Sequence, residues 1–410
     1  KTKTHINKNN NLNTMYEKRG NPKQHKGFFA KHRGLVATAT LFGTIVGAGI
    51  LGIPYVVAKA GLLYGLILIL LFGFTIMMLN FFSGDVVLRT KTQHQLPGYA
   101  EKYLGKNGKR FMMLSMLISI YGALTAYLIG QGNTFYTLFK IWSPLTFSII
   151  FFIITFLIIY RGVKATGRAE LILISLLILV VIAIGVFSAN KIDSSNFSSF
   201  NPTFFFLPYG VILFAFAGMP AVPEMQEQLM GQKKKLKKAI MWGSILPIIL
   251  YLAFAFIIVG VIGIENFDAL QPNEQIATIA LSYYSVPLLG LFANLLAILA
   301  MFTSYLTLGI ALLEVYEYDY HLPKWVSFVA TFSLPLLVVL LDLTSFITVL
   351  GITGAFAVGL EGIIVVLMYW KAKVLGKRKP EYQMGNHKLL GSFLILLFAV
   401  GIIYQIIQLI

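Results

Sequence analysis

The groups in this chain best suited to chemistry belong to its backbone, at points where glycine and proline would break a helix. Gly43, Gly47, Gly49, Gly52 and Pro54 interrupt one apolar run at 35–60 (GTIVGAGILGIP). Gly218, Pro220 and Pro223 interrupt a second at 207–229 (FAFAGMPAVPE). A proline within a helix removes a hydrogen bond, so the carbonyls of Ile50, Phe216 and Met219 are expected to be free. Open N–H groups at a helix start attract an anion, and open carbonyls attract a cation. Together they suit a zwitterion. In hydrocarbon, such backbone survives only where it is buried in protein or lines a cavity. A matched pair of interrupted apolar helices points to the substrate site of a secondary transporter.

Side-chain catalysis fits the sequence poorly. All six histidines (His5, His25, His32, His94, His321 and His387) fall in tails or loops, and there is no cysteine. That leaves no Ser–His pair or metal cluster within an apolar run, so an enzyme is not expected. Gly47-Ala48-Gly49-Ile50-Leu51-Gly52 matches GxGxxG. The context is wrong for a dinucleotide, because no strand precedes it and Pro54 follows. Gly43 and Gly47 also fit a GxxxG packing motif, and that reading stays open beside the unwound one. No GxxxxGK[ST] occurs, so no nucleotide-driven step or other cofactor is expected beyond a coupling ion.

The elements that must carry these breaks are membrane spans. Hydrophobic residues make up 57% of the 410 and charged residues 12%, half the charge of an ordinary soluble domain, about 25%. Eleven runs are long enough for a hydrocarbon core: 35–60, 61–83, 111–139, 143–160, 169–189, 207–229, 239–263, 285–313, 325–341, 346–370 and 389–410. With the N-terminus cytoplasmic, 30 of the 33 Lys and Arg lie inside, and only Lys59, Lys140 and Lys191 outside. This asymmetry follows the positive-inside rule and places the C-terminus outside. The basic residues are spread over six segments, so the net charge of +17 does not indicate a nucleic-acid partner. The expected partners are a lipid bilayer, at the cell membrane, and a small molecule. Oligomeric state is left open.

The expected fold is an all-α integral membrane protein in two five-span halves, each opened by a broken helix. Residues 1–33 form a cytoplasmic disordered tail, 34–189 the first repeat, 190–370 the second, and 371–410 a cytoplasmic loop with the eleventh helix. Five being odd, the second half enters from the opposite side, giving an inverted repeat. The polar loop 84–110 is expected to form a short surface helix, and the loop 264–284 to be external and acidic.

Three carboxylates lie in or near spans: Glu170, Glu224 and Glu361. Glu170 and Glu224, near cytoplasmic ends, suit either a gate or structural pairing. Glu361 is deepest and suits either a protonatable group or a buried hydrogen-bonded one. The lysines at 233–238 read as a topology signal on anionic headgroups, or as an inner gate with Glu314, Glu317 and Asp319.

GTIVGAGILGIPY followed by FAFAGMPAVPEM resembles the amino acid/auxin permease branch, with its bacterial aromatic amino acid permeases, of the amino acid–polyamine–organocation superfamily. The resemblance covers about 34–410 and implies a leucine-transporter-like fold with helices 1 and 6 broken around an amino acid. It also implies roles for named residues. The carboxylate would meet Gly47, Ala48 and Gly49, with Thr44 in the same segment. The ammonium would meet Phe214, Phe216 and Ala217, and Tyr121 would border the substrate. GTIVGAG and Ala300-Met301-Phe302-Thr303-Ser304 are similar to the sodium-binding segments of the bacterial leucine transporter. That similarity implies sodium held by the carbonyls of Gly43, Val46 and Ala300 and the hydroxyls of Thr303 and Ser304. Thr303 and Ser304 also suit plain bonding to their own helix. Ile50 stands where the leucine transporter has an asparagine of its second sodium site, so one ion is expected. Sodium is favoured over the proton. The resemblance implies a symporter of neutral L-amino acids, aromatic ones being a candidate class, working by alternating access. The alternative is an amino acid sensor on the same scaffold.

Overall fold

Val46 and Gly47 decide where the first helix stops. The computed structural model describes residues 32–161, 167–197, 199–229 and 231–409; the tail and the side chain of Glu170 lie outside them. Helix α1 (Arg33–Ile45) ends where Val46 and Gly47 leave helical angles, at φ/ψ of −86°/85° and −119°/−150°. A single 3-10 turn, Ala48–Leu51, leads to α2 (Ile53–Ala60), and the chain after the break is bent by 46°. Pro54 sits in the first turn of α2, where a missing N–H costs nothing. It heads a helix rather than breaking one.

Helices α3 (Leu62–Arg89), α4 (Leu96–Phe139), α5 (Pro144–Tyr160) and α6 (Gly167–Ser188) come next. Gly105 departs from helical angles (φ 76°, ψ −168°), so 96–104 is a short helix of its own, as expected for the polar loop. Ser143 caps α5 by accepting the Thr146 N–H at 3.2 Å, with Pro144 in the first turn.

The second interruption separates α7 (Leu207–Ala215) from α8 (Ala221–Gln228). Pro220 is the N-cap of α8 and Pro223 lies within its first turn, so both prolines again head a helix. After α9 (Leu236–Ile262) come two short helices, α10 (Ile264–Ala269) and α11 (Ala277–Tyr284), in the acidic loop. The chain closes with α12 (Pro287–Glu314), α13 (Lys324–Leu340), α14 (Phe346–Thr353), α15 (Gly359–Leu375) and α16 (Lys388–Leu409), and a π-helical turn at Gly354–Val358 joins α14 to α15.

Among the described residues, six helices are long and apolar enough to cross a membrane, or seven with the bent pair as one span. Three further apolar helices are shorter: α5, Ser175–Lys191 and α13.

Most of the helices gather around two hubs, α9 and α4. Helix α9 lies against α1 and α3, α8 against α1, and α2 against α7. Helix α4 instead anchors α5, α12, α13, α14 and α15. Glycines permit the closest approaches. A Cβ on Gly243 of α9 would lie 2.9 Å from Leu41 of α1, and one on Gly210 of α7 only 2.0 Å from the Gly351 carbonyl oxygen of α14.

The linker between α15 and α16 folds back on the C-terminal end of α3. Asp85, fully buried, pairs with Arg89 and accepts the Met384 N–H at 2.9 Å. Tyr382 donates to the Phe81 carbonyl at 2.9 Å, and Arg378 to that of Leu88 at 2.8 Å. Lys373 of α15 donates to the Met384 carbonyl at 2.8 Å, so one stretch of linker grips both helices.

Candidate functional site

The two interruptions meet backbone to backbone. A Cβ built on Gly49 would lie 2.5 Å from Ala215 Cα, so only glycine fits there. Around the first break, the Gly47 N–H turns back to the Ile45 carbonyl at 3.0 Å. Among the described hydrogen bonds, the N–H groups of Ala48 and Gly49 have no acceptor. They head the 3-10 turn and are buried with it. Thr44, in contrast, is exposed and donates to the Thr40 carbonyl of its own helix at 2.8 Å.

At the second break the expected free carbonyls are partly taken. Phe214 accepts the Ala217 N–H and Met219 the Val222 N–H, each at 3.1 Å. The reason is that the chain tightens into 3-10-type turns on either side of Gly218 rather than leaving gaps in a helix. Among the described bonds no N–H reaches the carbonyls of Phe216 or Ala217. The Phe216 side chain is buried and points its ring tip at Gly73 of α3.

A cavity of about 30 Å³, room for roughly one water, borders the first break. Gly47 and Ala48 face α6 (Leu177, Val181) and α12 (Ala297, Ala300) across it, and Phe254 and Thr278 close the sides. Thr278 Oγ1 is buried there without a partner. The lining is otherwise apolar.

Of the proposed ion ligands, Ala300 therefore lies opposite the first break. Thr303 directs its hydroxyl to the Leu299 and Ala300 carbonyls of its own helix, each at 3.1 Å. Ser304 instead lies near the hydroxyl of Tyr127, and that hydroxyl is 3.8 Å from where a Gly47 Cβ would stand. Gly43 is half-buried on α1 and Val46 is buried at its C-cap.

Tyr121 is not brought to the breaks. Its hydroxyl donates to the Ala330 carbonyl of α13 at 2.7 Å and bonds Tyr316 at 2.6 Å. Tyr127 takes the position facing the first interruption. Six residues along a helix turn the side chain by about 240°, so the two tyrosines face different neighbours. Tyr251 of α9 also reaches both breaks. It is fully buried, and its hydroxyl stands 2.9 Å from the carbonyls of both Ile45 and Ala215.

The carboxylates lie away from the breaks' contact. Glu224 is exposed on α8 and accepts Gln228 Nε2 at 3.2 Å, while Gln228 accepts the Thr40 hydroxyl at 2.9 Å. That chain joins α1 to α8. Glu361 is 6% exposed in α15, and its Oε1 has no partner. Among the described ion pairs none joins the 233–238 lysines to Glu317; Lys235 lays its methylenes over Gly34 instead.

A model of the tryptophan/tyrosine permease family matches residues 31–408. Glutamine transporter 2 of Aliivibrio fischeri is 26% identical over 356 residues, which cover 84% of this chain and 89% of that protein. Tyrosine-specific transport system 2 of Haemophilus influenzae is 24% identical over 401 residues, covering 92% and 96% respectively. The crystal structure of MhsT in complex with L-phenylalanine matches with a TM-score of 0.58 at 17% identity, covering 91% of this chain and 98% of that one. The chain shares that fold.

Proposed function

Since this chain belongs to the tryptophan/tyrosine permease family, and is a multi-pass membrane transporter of amino acids rather than an enzyme, we propose that it is a symporter of neutral, in particular aromatic, L-amino acids. The observation that carries this reading is the contact between the two interruptions, Gly49 against Ala215, beside the unpartnered N–H groups of Ala48 and Gly49. Those N–H groups receive the substrate carboxylate, and the Phe216 and Ala217 carbonyls receive its ammonium. The apolar lining by α6 and α12 favours an uncharged side chain. A tyrosine-specific relative and a phenylalanine-bound neighbour of the same fold support the aromatic choice. A cavity of about 30 Å³ is far smaller than an amino acid, so the site must open to load.

The scaffold is read as eleven spans, with a five-plus-five inverted repeat and the short apolar helices completing the count. The N-terminus is cytoplasmic and the C-terminus external, as the lysine and arginine asymmetry supports. The helices packed around α9 move against those anchored by α4. Sodium is the coupling ion, held between the first break and α12, because Ala300 and Gly47 border one cavity. One inward cation contributes about 2.3 kcal/mol per 100 mV, roughly a fiftyfold substrate gradient. Uptake of a radiolabelled amino acid panel into proteoliposomes, under separately imposed sodium and proton gradients, tests the reading. Binding without accumulation would indicate a sensor.

A further inference from the structure

Two half-helices end at one hydroxyl. Helix α1 stops at Ile45 and α7 stops at Ala215, and both terminal carbonyls point at Tyr251 Oη, each at 2.9 Å. Neither carbonyl has an ordinary helical partner, because the chain leaves the helix before an N–H four residues on can reach it. Ile45 receives only the back-turned Gly47 N–H, and among the described bonds Ala215 receives no backbone N–H at all. A helix C-terminus carries about half a negative charge. Two of them converging in a buried space create a potential that calls for a positive group. The carbonyls would be ordinary ligands for a hard monovalent cation.

Among the described residues, the positive group at this point is the proton of a phenol. It serves one carbonyl at a time and so binds the two breaks to each other. Tyr251 is held there by its own burial and by the Phe216 ring, whose centroid lies 4.9 Å away.

We propose that Tyr251 is a positioning residue that takes the place of a bound cation between the two helix interruptions, so that substrate binding there needs one ion fewer. The inference deepens the transporter reading and rests on it. The phenol proton aligns the peptide groups of 45–49 with those of 215–217, and it does so without charge and without dissociating. A cation in this gap would have to be loaded from solution in each cycle.

The test uses full-length protein in proteoliposomes with radiolabelled L-tyrosine. Wild-type uptake comes first: failure to accumulate L-tyrosine or any member of an amino acid panel sinks the transporter reading, whatever the Tyr251 variants do. Tyr251→Phe keeps the ring and removes the proton. We expect KM to rise about tenfold or more, the cost of leaving buried acceptors unpaired, with kcat little changed. Raising sodium or lithium at constant ionic strength should then lower KM again, with a cation dependence steeper by one ion than in the wild type. A residue that merely filled space would give no such cation rescue. An unchanged KM, or a raised KM that neither cation lowers, overturns the proposal. If Tyr251→Phe does not fold, incorporation of 4-aminophenylalanine at position 251 decides. Its two N–H donors serve both carbonyls, so wild-type KM and wild-type cation dependence are expected. A raised KM with that side chain overturns the proposal.

Discussion

Gly49→Ala is the sharpest single perturbation of the contact between the breaks. The added methyl would lie 2.5 Å from Ala215 Cα, 2.9 Å from its Cβ and 3.1 Å from its nitrogen. Carbon atoms pack at about 3.5–4.0 Å, so the two interruptions must separate by roughly 1 Å. The neighbour is backbone and has no rotamer by which to yield. Overpacking of this kind costs about 1–3 kcal/mol, which is about 5- to 150-fold in affinity if it falls wholly on the substrate-bound conformation. A 1 Å displacement of positioning groups can cost about a hundredfold by itself. Gly351→Ala, on α14, is the matched control. Its Cβ would meet only Val211, at 3.9 Å. Substrate affinity and initial uptake rate in proteoliposomes, with thermal unfolding alongside, measure both variants. We expect Gly49→Ala to lose affinity by about tenfold or more and Gly351→Ala to stay close to wild type. Equal behaviour of the two, or wild-type uptake by Gly49→Ala, would refute the claim that the breaks are held in contact at the substrate site.

Three further outcomes are expected. Thr303→Val removes a hydroxyl beside Ala300 and should raise the sodium concentration for half-maximal uptake by about tenfold; an unchanged sodium requirement counts against Thr303 as a ligand. Glu361→Gln preserves shape and should leave sodium-driven uptake intact, whereas its loss, together with loss of proton-driven exchange, would make Glu361 the coupling group. Asp85→Ala leaves Arg89 without its buried partner and should destabilise the protein by about 3–5 kcal/mol. It should also expose 377–387 to protease; wild-type melting and digestion patterns would show that the linker does not depend on Asp85.

Both interruptions fall at clusters of glycine and proline, because the chemistry that ends a helix is local. Val46-Gly47 and Gly218-Met219-Pro220 leave the helix where glycine and proline would place the change. The prolines act differently from a break inside a helix. Pro54, Pro220 and Pro223 all head helices, so no interior bond is removed and Met219 keeps an N–H partner. Tyr251 and Tyr127 were illegible for a different reason. Each is one hydroxyl in an apolar run, and its meaning depends on which carbonyl a distant helix presents to it. Tyr251 lies 206 residues from Ile45 in the chain. The signal available was the tyrosine itself, whose O–H needs a partner when buried in hydrocarbon. Intramembrane charge drew attention to Glu224 and Glu361 instead. The docking of 377–387 onto α3 was equally hidden, since a lysine-rich loop reads as solvated until Asp85 is seen buried beneath it.

That docking limits which way the molecule can flex. Residues 382–384 are stitched to Phe81 and Asp85 while Lys373 reaches Met384 from α15, so the ends of α3 and α15 are cross-braced. Prising those two ends apart would mean shedding the brace in full. Between α1 and α8 the Thr40 hydroxyl meets Gln228, and the Lys235 stem lies over Gly34. Motion of the helices around α9 against those anchored by α4 must therefore pivot at the brace between α3 and α15 or release it.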